Sequence, residues 1–201
     1  GELAKSLTGY PAELDEMHCR SLEEQKKRWF FRESEKASGN PQDTMGAEEL
    51  RLLDNAEFAL ELNCTSLYEE YLRQPLQAFL ASYWQKNYLT HSYFAGRIPD
   101  RFYIGNQFCH NLFPTEEQLF SIMDKMYSEG SEITLVFSYI REFMLENVKM
   151  LLDRLEFWCE ANDCVLEIQI NDWAMAELLK GKRLLTLVLG ILLNKRRKDP
   201  R

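Results

Sequence analysis

The chain has 201 residues, of which 45% are hydrophobic and 28% charged, an ordinary globular balance that weighs against a disordered chain. A net charge of −8 weighs against a dedicated duplex-DNA binder, which needs a basic face. The longest apolar run, residues 184–193, is too short to cross a bilayer as a helix, so no membrane segment is expected.

In chain order, residues 22–36 read as a charged helix carrying Trp29, Phe30 and Phe31, aromatics expected to pack inward. Residues 38–41 (SGNP) break it. Residues 47–62 read as a helix, because Leu50, Leu53, Phe58 and Leu62 recur at near-helical spacing with Leu60 close to that face. Residues 67–86 repeat the pattern through Leu72, Leu76, Phe79, Leu80 and Tyr83, with Pro75 marking a start or a kink. Residues 87–99 form a polar and aromatic connector.

After Pro99 the rhythm changes. Strands are expected over 101–105, 132–138, 165–170 and 184–190, and helices after Pro114 and Thr115, over 142–161 and over 173–180. Alternation of this kind implies parallel crossovers. The fold class is therefore α/β: a helical segment over 1–95, then four parallel βα units over 96–201. The fourth of these strands is apolar on both faces, which suits the middle of a covered sheet rather than an edge. Self-association through that strand, or coverage by further polypeptide, is the partner expectation. The chain begins with Gly rather than Met, which suggests a trimmed or excised piece.

In parallel β/α folds the ligand lies beyond the C-terminal strand ends. That rule selects Asn106, Gln107, Ser138, Tyr139, Asn171, Asp172, Asn194 and Lys195 as candidates for substrate binding. Asn171 and Asp172 also suit the N-cap of the helix they open. Cys109 reads as a structural thiol or as a thiolate ligand, and it is the one thiol expected at this end. His110 is expected as a surface or capping group. Cys159 and Cys164 fall at the opposite end and are expected in the core. The basic run 195–201 (KRRKDPR) reads as a solvated loop, or as a phosphate contact at the rim. An odd count of five cysteines without CxxC points to reduced thiols in the cytoplasm. The three histidines offer no helical HxxxH pair for zinc.

Four segments, RFYIGNQFC (101–109), EITLVFSYI (132–140), VLEIQINDWAM (165–175) and LVLGILLNKRRKDPR (187–201), resemble the collagenase-like peptidase family, peptidase family U thirty-two. The match covers about half the chain. It implies the first half of a TIM-like β/α barrel, from a family linked to hydroxylation of RNA bases and quinone precursors, often with a four-iron four-sulfur cluster. It places Cys109 at the position of a first cluster cysteine. The family's other cysteines lie in the second half of the barrel, and Ala174 stands where members often have Gly. The resemblance thus implies an N-terminal portion without a cofactor of its own, completed by a C-terminal half barrel, with RNA or a small molecule as substrate. The rival expectations are an active hydroxylase or hydrolase formed by self-association, and a non-enzymatic binding module.

Overall fold

The computed structural model describes residues 53–194. The expectations for the helix over 22–36, the aromatic trio at 29–31, the first part of the helix over 47–62 and the basic run from Lys195 fall outside those residues.

Five parallel strands form one sheet: β1 (Ala59–Leu62), β2 (Arg101–Gly105), β3 (Glu132–Val136), β4 (Leu166–Ile170) and β5 (Leu185–Leu189). Their spatial order is their chain order. Helices α1 (Thr65–Arg73) and α2 (Leu76–Lys86) follow β1. After β2 comes α3 (Glu116–Ser128), after β3 α4 (Leu145–Asn162), and after β4 α5 (Trp173–Leu178). A doubly wound sheet would reverse its order at a switch point. A consecutive order with right-handed crossovers places the connecting helices on one face.

β1 corrects the helix expected through Leu62. Leu60 and Leu62 are buried while Ala59 and Glu61 are exposed, a period of two that serves a strand. Pairing of Leu60 with Phe102 and Leu62 with Ile104 overrides the local helical spacing. The sheet therefore draws on residues that sequence spacing assigns to the helical segment 1–95, and residues 56–83 share a compact unit with those from 96 onward. In the other unit, Trp84 to Lys86 end α2 and the residues up to 95 form turns, with Leu89 N donating to Trp84 O at 2.8 Å. Pro75 divides α1 from α2, and its carbonyl accepts from Phe79 N at 3.0 Å.

The register separates two faces. Leu62, Ile104, Leu135, Ile168 and Leu187 form one row across the sheet, and all but Leu187 are fully buried. This is the helix-covered face, where Tyr71 of α1 meets the Phe102 ring at 5.7 Å between centroids. Leu119, Ile122, Met123 and Met126 of α3 are fully buried as well. Coverage ends at β5, where Leu187 is 39% and Leu189 43% exposed. The opposite face carries Glu61, Tyr103, Thr134, Glu167 and Thr186 in one row. There Arg101 binds Glu57 at 2.5 Å and Glu167 at 2.7 Å, and it also pairs with Glu132. Such a bridged polar face fixes the N-terminal ends of β2, β3 and β4 together. Among the described residues, no helix is long and apolar enough to cross a membrane.

Candidate functional site

The C-terminal strand ends are held by side chains that sequence reading assigned to ligand binding. Asn106 closes the turn after β2: its Oδ1 accepts from Phe108 N at 2.9 Å and Cys109 N at 3.0 Å. Its Nδ2 donates to Asn63 O at 3.2 Å, tying the β2 loop to the end of β1. Gly105 makes this turn possible. Its φ is +118°, and a Cβ there would lie 2.2 Å from Val136 O. Gln107 sits half-buried in the same turn.

Asn171 is buried and knots three strands. It follows β4, donates from Nδ2 to Phe137 O at 2.7 Å, and accepts at Oδ1 from Leu192 N at 3.2 Å. Gly190 leaves the room for it, since a Cβ there would lie 2.2 Å from Asn171 Oδ1. Asp172 caps α5 through Met175 N at 2.8 Å, as its position suggested, and its second oxygen accepts from Ile140 N at 2.5 Å. Asn194 donates to Leu189 O at 3.3 Å. These groups spend their hydrogen bonds on the scaffold. Their arrangement preorganises the loops and leaves the loop surfaces, not the amides, to meet a ligand.

Two further candidates line a cleft. Tyr139 is 42% exposed, with the Arg141 guanidinium 5.8 Å from its ring centroid. Ser138 is buried, with its hydroxyl 3.4 Å from Tyr139 O. Both line a cleft of about 250 Å³ with His110, Phe113, Phe137 and Asn147. Phe113 and Phe137 stack at 4.7 Å to form part of its wall, and the His110 ring meets Phe143 edge-on at 6.1 Å. Sequence spacing missed this cleft, because Phe113 takes its place from a loop that carries no period and meets Asn147 of the first turn of α4 only in the folded chain. The structure brings the ends of β3, β4 and β5 together through Asn171 and Asp172, and those of β1 and β2 through Asn106. His110 and Tyr139 line the same cleft.

No family model, curated protein or solved structure matches this chain. The functional reading rests on the geometry.

The strand assignment of β1 also moves a thiol. Cys64 directly precedes α1 at the C-terminal end of β1, so Cys109 is not the one thiol at this end. Cys64 Sγ lies 3.3 Å from Ser66 Oγ, and Cys109 precedes the 3-10 turn His110–Leu112. Tyr68 joins the two loops, donating to Leu112 O at 2.8 Å. Burial pushes its phenol well above the usual range, with Cys64 and Glu61 adding to the effect, so it remains a neutral donor. A four-iron cluster normally takes four thiolates. The described residues supply two at this end and no group of three or more metal-binding side chains, so they do not fit that cluster.

Proposed function

We propose that the chain is part of a β/α-barrel protein resembling the collagenase-like peptidases. In this reading β5 is an interior strand, and the strand-end loops supply one side of a ligand site. Further polypeptide across β5 completes it. The observation that carries this reading is the helix-side row of the sheet: four of its members are fully buried and the fifth, Leu187, is open. A barrel would extend that row and cover it. The polar inner face around Arg101, Tyr103 and Glu167 fits a barrel lumen. Tyr139, Gln107 and His110 form the ligand-facing rim, and RNA or a small molecule is the substrate class. The free cysteines fit a reducing, cytoplasmic setting.

The same open strand supports a second reading, in which a second copy of the chain closes the site. Anaerobic reconstitution with iron and sulfide separates this case from an incomplete site. The isolated chain is expected to bind iron well below one cluster per chain and to show no turnover. A stoichiometric cluster that disappears in Cys109→Ala would overturn the incomplete reading.

A further inference from the structure

Cys159 and Cys164 stand at the end of the sheet opposite the candidate site. They bracket the left-handed residue that ends α4, Asp163, at φ 50° and ψ 48°. Cys164 N donates to Cys159 O at 3.1 Å, and Asp163 N to Glu160 O at 3.4 Å. This pair of bonds is the Schellman helix ending, in which the side chains of the first and last residues of the closed ring come into contact. Ordinarily that contact is between two apolar side chains. Here both positions are cysteine.

The geometry suits a covalent bond between them. A direct backbone hydrogen bond holds two Cα atoms within about 7 Å, and a disulfide spans Cα separations of about 4.4–6.8 Å. The two thiols differ in access. Cys159 is fully buried, whereas Cys164 is half-buried and lines an open cleft with Tyr127, Trp158 and Val165. Burial pushes the Cys159 thiol up to about 12, and the neighbouring Cys164 adds to it. Burial also raises Cys164, while Cys159 beside it offsets part of that rise. The half-buried Cys164 sulfur is thus the more accessible nucleophile, with the buried Cys159 five residues before it across the helix ending.

We propose that Cys159 and Cys164 are a redox modification site that closes to an intramolecular disulfide on reaction with a low-molecular-weight disulfide. The Cys164 thiolate attacks one sulfur of oxidised glutathione, whose S–S bond breaks and releases one reduced glutathione. The Cys159 thiol gives its proton to solvent and attacks the Cys164 sulfur of the mixed disulfide, releasing the second. Two protein thiols lose two electrons and two protons, and one glutathione disulfide becomes two thiols. The new bond fastens the last turn of α4 to the start of β4, where Leu166 N already donates to Leu184 O at 2.9 Å.

The full chain is incubated anaerobically with oxidised glutathione, quenched with acid, alkylated, cleaved with trypsin and weighed by mass spectrometry. The expected product is a fragment spanning 155–180 that carries both cysteines unalkylated, two hydrogens lighter, without bound glutathione and restored by dithiothreitol. In Cys164→Ser the same fragment keeps an alkylatable Cys159. A stable glutathione adduct on Cys164 with Cys159 still alkylatable would overturn the proposal. So would two free thiols in this fragment once Cys64 or Cys109 has reacted.

Discussion

Gly105→Ala is expected to lower the melting temperature by about 10 °C or more, the equivalent of about 4 kcal/mol in a chain of this size. Two costs combine. The φ of +118° lies where L side chains rarely go, and the added Cβ would sit 2.2 Å from the Val136 carbonyl oxygen, with the Phe113 ring at 3.0 Å. Relief requires β2 and β3 to separate where Gly105 pairs with Val136, which also displaces the Asn106 turn and the Phe113–Phe137 stack. Gly130→Ala is the control. That residue has φ +75° with nothing within 4 Å of an added Cβ, so its cost is limited to backbone strain of about 1 kcal/mol. Thermal melts of the two variants check the difference. Equal, small shifts would contradict the close approach of the strands at Gly105.

A piece comprising residues 96–201 is expected not to fold. Removing the preceding residues deletes β1, α1 and α2, and with them Leu60, Leu62, Tyr68, Tyr71 and Phe79, all buried. Tyr71 packs on Phe79 at 5.3 Å and on Phe102 of β2 at 5.7 Å, and the Lys125 ammonium on α3 donates to Gln74 O at 2.5 Å. Full burial of a large apolar side chain is worth about 1.5–3 kcal/mol. Five of them match the whole stability of an ordinary domain, about 5–15 kcal/mol. Circular dichroism of the piece should show no cooperative melt. A melt at the temperature of the whole chain would mean that the first βα unit is an accessory rather than part of the core.

These two variants bear on different parts of what the sequence discloses. β2 to β5 are legible because each is a short apolar or alternating run between turn residues, and their bounds shift by only a few residues in the structure. β1 is not legible. It has four residues, and Phe58, Leu60 and Leu62 satisfy helical and strand spacing almost equally. Only its partner, Phe102–Ile104 across the sheet, decides between them. The strand-end rule selected residues at the C-terminal ends of the strands, and the structure engages several of them in hydrogen bonds to the scaffold. Asn106 Oδ1 closes a local turn, but the Asn63 partner of Asn106 and the Phe137 and Leu192 partners of Asn171 lie 43, 34 and 21 positions away, so no local spacing reveals those bonds. Asp172 was readable as a cap because that bond is local, three residues along the chain. The same contrast explains Cys64, which joined the candidate end only when β1 became a strand.

Sedimentation velocity of the full chain over a range of concentrations tests the openness of β5 most directly. Leu187, Leu189 and Ile191 are exposed at this edge, and Trp173 on α5 is 69% exposed. The wild-type chain is expected to associate as concentration rises, and Leu187→Lys to remain monomeric and folded, because a charge on an open strand blocks pairing at little cost to the fold. A wild-type chain that stays a monodisperse monomer at high concentration, or a Leu187→Lys variant that unfolds, would contradict an uncovered β5.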